Sequence, residues 1–429
     1  MRIGLDAVPL TEPKAGIGHY TAELAAELAR QSPADDFELI LPGRFSLAPE
    51  VEAAYGLPGG RSHVGETSGG ARPSGDEASP RGGASPRNLR LVRAPAGGVR
   101  LRWWSMGLPL CARERGLSIF HGTNYHVPVW DTCPTVVTIH DLSSLLHADT
   151  HREELVRRAR LRLPAMVRAA TVVVTDSEGV RREVCEHFSV SPARVFAVPL
   201  APRRVFRPVP AVESEGVRRR LGVEDEFLLF VGTVEPRKNL PTLVRACAEL
   251  ARGRGRTPQL VIAGGRGWLS DDLHALVERE GLAARTRFTG YLADEDLRAL
   301  YSSCALAIYP SLYEGFGLPP LEAMSCGAPV VASRIPALEE TCGRGAARLV
   351  DPLDHRDVAR AVAELLADGG ARARLSRAGM ERAAEYTWER AARRTREVYD
   401  EAIERWRYAR AASQSGAAAA REGAAAGVA

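Results

Sequence analysis

The sequence predicts an α/β protein made of two doubly wound domains, each a parallel sheet with helices packed against it. Three observations carry this. Short apolar runs alternate with longer helical stretches along the chain, the pattern of strand–helix–strand units. The chain has 429 residues, more than one ordinary domain holds. A stretch with three prolines, residues 201–210 (APRRVFRPVP), separates two series of such elements and reads as a linker.

The first series opens with a strand at Ile3 to Leu5. The loop Pro9 to Gly18 ends in Gly16-Ile17-Gly18, and a helix follows from about His19 to Arg30. The third glycine of a dinucleotide fingerprint is absent, since Thr21 stands in its place, which argues against a nicotinamide enzyme. A glycine loop opening a helix still lets backbone approach a phosphate. Phe37 to Leu41 is the second strand. Residues 58–88 are rich in Gly, Ser, Pro and Arg with almost no large apolar side chain, and predict a disordered insert. Leu101 to Leu110 carries Trp103 and Trp104, adjacent rings that cannot both face the same way.

Ser118 to His121 reads as a strand ending in the loop Gly122-Thr123-Asn124-Tyr125. Thr135 to Ile139 is another, ending in His140-Asp141. Both polar clusters sit at carboxyl ends of strands, the ligand side of an open parallel sheet. Five of the ten histidines fall between residues 121 and 151; metal spacings such as HxxxH or HExxH are read as absent, and no metal site is predicted. Arg152 to Ala170 reads as a long basic helix. A strand at Thr171 to Thr175 runs into a helix cap at Asp176-Ser177-Glu178, and Val195 to Val198 closes the series.

The second series begins with a strand at Phe227 to Val231. The loop Gly232 to Leu240 places Arg237 beside Lys238, and a helix follows from Pro241 to Arg252. An arginine fork and a lysine point charge at a strand–loop–helix junction suit a diphosphate. Lys14 and Lys238 are the two lysines among 57 basic residues. Leu260 to Ala263 is a strand leading into Gly264 to Trp268. Arg287 to Gly290 leads into Tyr291, and Asp294 to Ser302 is helical.

Ala305 to Pro310 is a strand, and Ser311 to Gly317 a loop holding Glu314. Pro319 and Pro320 open a helix that contains Glu322, and Pro329 to Ser333 is the next strand. Free N–H groups at a helix N-terminus favour a phosphate. A carboxylate beside such a site must bind something else, such as sugar hydroxyls. Two of them suit a ligand with phosphates in the middle and hydroxyls at both ends, as in a nucleotide sugar. Ala346 to Asp351 is a further strand. Helices follow at 354–367, 371–386 and 388–410, and the Ala/Gly-rich tail predicts disorder.

Net charge is +4 and spread along the chain, so no nucleic-acid partner is implied. The seven cysteines form no CxxC pair and suggest reduced thiols in a cytoplasmic enzyme. The N-terminal stretch lacks the apolar region of a signal peptide, and no apolar run reaches the ~18 residues of a membrane span.

EGFGLPPLEAMSCGAPVVAS, from Glu314 to Ser333, resembles the Glu-x7-Glu signature of the retaining glycosyltransferases of family 4, which share the two-domain GT-B fold. HGTNY, TIHDLS and VGTVEPRKNL resemble family segments in the same order, and the resemblance covers roughly 1–57 and 89–408. It implies two Rossmann-like domains with a cleft between them: an acceptor-side domain at 1–200 and a nucleotide-sugar domain at 211–387. A helix at 388–410 would cross back to the first domain, before a disordered tail at 411–429.

The resemblance also implies roles. Arg237 and Lys238 stabilise the departing diphosphate, Glu314 holds sugar hydroxyls, and Glu322 holds the ribose. His140 contacts the sugar or the acceptor. Gly18, Thr233, Phe316, Gly317 and Leu318 join the donor site; Gly16, His121, Asn124, Tyr125 and Asp141 lie on the acceptor side. Many members carry Arg where this chain has Thr233, and Arg237 is expected to cover the gap. The subgroup resembled uses GDP-mannose, with a saccharide or lipid-linked acceptor, no covalent nucleophile, and neither metal nor cofactor. A peripheral contact with the inner face of a membrane stays open. So do other classes: a sugar-nucleotide epimerase or phosphorylase of the same fold, or a non-catalytic nucleotide-sugar binder.

Overall fold

The structure is a computed structural model that describes residues 1–11, 16–47, 86–95, 102–254, 258–265 and 270–426. Its strands are β1 (Arg2–Asp6), β2 (Asp36–Pro42), β3 (Leu89–Ala94), β4 (Ile119–Gly122), β5 (Thr135–Ile139), β6 (Val172–Thr175) and β7 (Val195–Ala197). They continue with β8 (Phe227–Val231), β9 (Gln259–Ala263), β10 (Thr286–Gly290), β11 (Leu306–Tyr309), β12 (Val330–Ser333) and β13 (Ala347–Val350). These form two parallel sheets, ordered β3-β2-β1-β4-β5-β6-β7 and β10-β9-β8-β11-β12-β13. Both orders step outward in two directions from a central pair, β1 and β4 in one sheet and β8 and β11 in the other, which is the doubly wound Rossmann arrangement.

The central strands of the second sheet, β8 and β11, are apolar throughout because both faces are covered. Phe227, Leu228, Leu229 and Phe230 of β8 are fully buried, as are Leu306 and Ala307 of β11. Register pairs Leu306 with Leu228 and Ala307 with Val330. In the other sheet Ile3 of β1 lies between Phe37 and Ile119.

The chain divides into two compact units, one of residues 1–138, 168–172 and 392–429, the other of 139–167 and 173–391. Within the first, the terminal helix is tied by Tyr399, whose hydroxyl hydrogen-bonds His121 Nδ1 at 2.8 Å, and by the Arg396–Asp35 ion pair at 3.6 Å.

Several elements depart from the sequence reading. The first helix spans Gly16–Gln31, so the Gly-x-Gly pair forms its first turn rather than a loop before it. β3 is an unpredicted edge strand in which Arg90 and Arg93 interrupt the apolar residues. The helix Pro336–Cys342 was also not predicted. The terminal helix runs Trp388–Ala426, past the predicted end at 410, because its alanines are strong helix formers. Of the insert at 58–88, residues 58–85 lie outside the described residues, as do Lys14 and Arg266 to Trp268. Residues 86–88 are placed: the Asn88 side-chain amide donates to the carbonyls of Ala29, Ser32 and Asp35 at 2.8–3.0 Å. The two tryptophans separate as their adjacency requires, Trp103 into the core and Trp104 stacked on His126 at 4.4 Å.

Candidate active site

At the switch between β8 and β11, the following loops diverge and leave a crevice at the carboxyl ends of the strands. Arg237 and Lys238 come from the loop after β8, where Pro236–Lys238 forms a single 3₁₀ turn. Asn239 ends that turn at φ 55°, a left-handed conformation that asparagine tolerates better than most residues. Its side-chain amide donates to the Pro310 and Pro352 carbonyls at 3.0 and 2.7 Å, tying the cationic loop to the chain just after β11 and just after β13. A Cβ on Gly264 would stand 2.1 Å from the Gly232 carbonyl oxygen, so only glycine lets the chain after β9 close on this loop.

Glu314 enters from the loop after β11. It is 8% exposed and takes four side-chain hydrogen bonds. Lys238 Nζ donates to both its oxygens at 2.7 and 2.9 Å, Arg237 Nη1 to one at 3.0 Å, and Ser311 Oγ to the other at 2.7 Å. Burial pushes its pKa up, but Lys238 and Arg237 outweigh this and hold it at about 2. Arg237 also donates to Glu235 at 2.7 Å and to the Tyr313 carbonyl at 3.0 Å, while its Nε is buried with no partner.

Glu322 is 3% exposed in the helix Leu318–Ser325, not solvated as a surface helix residue would be. Arg203, from the linker, donates to both its oxygens at 2.7 and 3.3 Å, and to Asp294 at 2.6 Å. The guanidinium also lies over the Phe206 ring at 4.4 Å. Burial raises the Glu322 pKa, and the single arginine only partly reverses this.

His140 follows β5 and is buried at 7% exposure. Its Nδ1 lies 2.8 Å from Asp176 Oδ2. Ser177 alone caps the helix Glu178–Phe188, accepting from Val180 N–H, which corrects the three-residue cap: Asp176 turns to the histidine instead. The other Asp176 oxygen is buried without a partner, and burial raises its pKa against the pull of His140. Asp141 is occupied as a local cap, accepting from Ser143 N–H and Oγ at 2.9 and 2.6 Å. A Cβ on Gly315 would meet the His140 carbonyl oxygen at 2.0 Å, so glycine permits the Glu314 loop to lie against His140.

Tyr313 anchors this loop from the side: its hydroxyl donates to Glu183 at 2.5 Å and accepts from Leu142 N–H at 3.1 Å. A cavity of about 180 Å³ opens beside Glu314, with His147, Glu183 and Tyr313 on its polar side and Val180, Leu312 and Pro336 among its apolar walls. His147 and His151 do stand four residues apart, which corrects the reading that HxxxH spacing is absent; on one helix that spacing could present both rings to a metal. Here the 3₁₀ turn Ala148–Thr150 separates them, and among the described residues no group of three or more His, Cys, Asp or Glu could hold a metal ion.

The remaining donor-side candidates divide by what they expose. Thr233 is exposed in the cationic loop. Gly317 adopts φ 95°, and a Cβ there would meet Leu338 Cδ2 at 2.3 Å; Leu318 begins the helix half-buried. The Phe316 ring is core, edge-on to Tyr386 at 5.5 Å, and its carbonyl accepts from Thr341 Oγ1 at 2.6 Å, so neither offers itself to a ligand.

Within the first unit, His121 is a correction. Its ring is fully buried and both nitrogens are engaged, by Tyr399 and by Thr138 Oγ1 at 2.7 Å, so it holds the core and offers nothing to an acceptor. Asn124 has a buried Oδ1 with no partner, and Tyr125 sits at φ 59° with its N–H bonded to the Thr138 carbonyl. Gly16 is exposed at the helix start with open space where a Cβ would be; Gly18 is buried two residues on. At the end of β1, Asp6 is a residue the sequence reading passed over. It is 2% exposed, accepts from Val8 N–H at 3.0 Å, and burial pushes its pKa to about 7.

Two family models match the chain: Glycosyltransferase Family 4 over residues 15–201 and Glycosyl transferases group 1 over residues 215–382. The O-antigen chain mannosyltransferase B of Escherichia coli is 30% identical over 93% of this chain and 99% of its own length. Among solved structures, sucrose-phosphate synthase from Thermosynechococcus elongatus matches with a TM-score of 0.67 at 22% identity, covering 94% of this chain and 98% of that one. HepE of Anabaena, in complex with UDP and glucose, matches with the same TM-score of 0.67 at 16% identity, covering 93% and 99%. The two Rossmann-like sheets are those of the GT-B fold, and the chain belongs to glycosyltransferase family 4.

Proposed function

We propose that this glycosyltransferase moves mannose from GDP-mannose to a saccharide or lipid-linked acceptor with retention at the anomeric carbon. The observation that carries this reading is the buried carboxylate of Glu314 clasped by Lys238 and Arg237 at the end of β11, with Arg237 Nε left without a partner. A diphosphate gives the two cations a second anion. Glu314 then turns its oxygens to the sugar hydroxyls, ionised at any pH the enzyme meets.

As the glycosidic bond breaks, negative charge grows on the leaving phosphate, and the preorganised guanidinium and ammonium groups stabilise it. With two cations there, no metal is needed. No side chain is assigned as a covalent nucleophile; the leaving phosphate takes the acceptor's proton on the face where the acceptor attacks. Glu322 meets the ribose while Arg203 holds it. His140, with Asp176 on its Nδ1, contacts the sugar or the acceptor. GDP-mannose is preferred as donor because the relative similar over nearly the whole chain is named a mannosyltransferase.

A panel of UDP- and GDP-sugars tests this by hydrolysis and thermal stabilisation, with and without EDTA. GDP-mannose should give the largest turnover and melting shift, unaffected by chelator, with an α-configured product by NMR. Turnover of a UDP-sugar alone would overturn the donor, and inversion at the anomeric carbon would overturn the mechanism.

A further inference from the structure

We propose, on the glycosyl-transfer reading above, that the cavity beside Glu314 holds one neutral sugar ring of the acceptor, with Glu183 reading its hydroxyls. All the walls belong to the second compact unit. At about 180 Å³ the space lies below the ~300 Å³ at which pockets for drug-sized molecules begin, so it suits a single ring and not a nucleotide. Glu314 belongs both to this wall and to the clasp of Lys238 and Arg237, which sets a ring bound here next to the donor sugar.

The lining selects against anions. Glu183 and Glu314 are part of it, and no arginine or lysine is. The helix Glu178–Phe188 starts at the cavity edge, but its first N–H groups are already spent. Glu340 accepts from Glu178 and Gly179 N–H at 3.0 and 3.2 Å, and Ser177 Oγ from Val180 N–H at 3.1 Å. A phosphate or a sugar acid would meet two carboxylates here and find no arginine, lysine or free helix N–H. A neutral ring finds what it needs. Glu183 gives Oε2 to the Tyr313 hydroxyl at 2.5 Å, while Oε1 accepts nothing among the described residues. Burial raises the Glu183 pKa and the tyrosine only partly offsets this, so further hydroxyl donors would stabilise its charged form. The His147 ring, its centroid 4.9 Å from that of Tyr313, makes no hydrogen bond among the described residues. Val180, Leu312 and Ile335 supply apolar surface for the C–H groups of the ring.

The test is saturation-transfer NMR of the full chain with GDP present. The probes are the methyl α-glycosides of mannose, glucose and galactose, with mannose 6-phosphate as the anion. At least one methyl glycoside should bind and serve as acceptor, and mannose 6-phosphate should bind at least ~10-fold more weakly, because it brings a like charge to the carboxylates. Glu183→Gln keeps an acceptor for the Tyr313 hydroxyl. It should raise both Kd and KM for that glycoside about 10-fold, the loss expected for hydrogen bonds to a charged group, with calorimetric GDP affinity and melting temperature unchanged. Gly179→Leu fills the space: a Cβ there makes only ordinary contacts, the nearest 3.5 Å from Ser177 Oγ, and the side chain grows into the cavity that Gly179 lines. It should abolish glycoside binding and leave GDP affinity intact. Glycoside binding unchanged in either variant, mannose 6-phosphate bound as tightly as the neutral probes, or no methyl glycoside bound at all overturns the inference. Binding lost as expected in both variants, in a protein whose parent turns over another donor, would uphold the sugar site and overturn GDP-mannose alone.

Discussion

Asp6 and Glu314 occupy comparable places in the two sheets. Asp6 ends β1, beside the switch between β1 and β4; Glu314 lies in the loop after β11, beside the switch between β8 and β11. Both are almost wholly buried, and burial pushes both pKa values up. Asp6 has one backbone N–H against that push and reaches about 7; Glu314 has two cations and a hydroxyl and is held at about 2. Glu322 has one arginine, shared with Asp294, against the same burial, and its pKa stays raised. At a buried strand end, the number of cations decides whether a carboxyl is an acid in waiting or a fixed anion.

The largest expected effect comes from removing the charge at the first of these places. The native state holds the Asp6 proton up to about pH 7 while the unfolded chain loses it near 3.8, so its stabilising contribution is full below about 3.8 and is lost as pH rises through about 7. Asp6→Asn keeps an acceptor for Val8 N–H and cannot ionise. It should therefore be more stable than the parent at pH 8 by ~4 kcal/mol, with the gain almost gone near pH 4. Denaturant unfolding across that range checks this. A gain that does not change with pH would mean Asp6 is not the titrating group.

Next is the removal of cations at the second place. Arg237→Ala or Lys238→Ala should lower kcat/KM at least about 100-fold, since one lost donor to developing charge costs ~3 kcal/mol. Either change also moves Glu314 toward the state of Asp6, so its pKa should rise. Near-parental turnover in both variants with the true donor would remove the diphosphate from this loop.

The two sheets and the Glu314 site were legible in the sequence because their signals are local. Strands buried on both faces are unbroken apolar runs, and Arg237, Lys238, Glu314 and Glu322 sit in short motifs with glycines and prolines around them. What escaped depends on distant parts of the chain. Arg203 meets Glu322 across 119 residues of sequence, and nothing near either residue announces the other. His121 and His140 look alike as strand-end histidines, but His121 lies inside β4, where every residue is buried, and His140 lies one position beyond β5. β3 was missed because edge-strand arginines break the apolar run.

A smaller effect separates the two glutamates. Glu314→Gln should reduce transfer while free GDP binds almost as before, because the carboxylate is assigned to the sugar end. Glu322→Gln should weaken free GDP by roughly 1.5–3 kcal/mol, the worth of a hydrogen bond to a charged group. Calorimetric titration with GDP on both variants, alongside turnover, measures the split. Equal losses of GDP affinity would end the division of roles.

The smallest effect tests how the Glu314 anion is held when its cations stay in place. Ser311 is fully buried and spends its hydroxyl on Glu314 Oε1 at 2.7 Å. With Lys238 and Arg237 intact, Ser311→Ala removes one neutral donor of the set and should cost ~1.5 kcal/mol at pH 7, the low end for a bond to a charged acceptor. The sign of the pH dependence follows from the depressed pKa. Glu314 contributes stability that is present above its ordinary 4.5 and lost as pH falls through about 2. Losing the serine raises the folded-state pKa part of the way back, so the acid decline should start at a higher pH in Ser311→Ala than in the parent. Below about pH 2 the carboxyl is protonated in both proteins, and the difference should shrink. Unfolding measured between pH 7 and pH 2 reads this directly. A Ser311→Ala cost that stays constant over that interval would show that the hydroxyl supports the loop and not the charge.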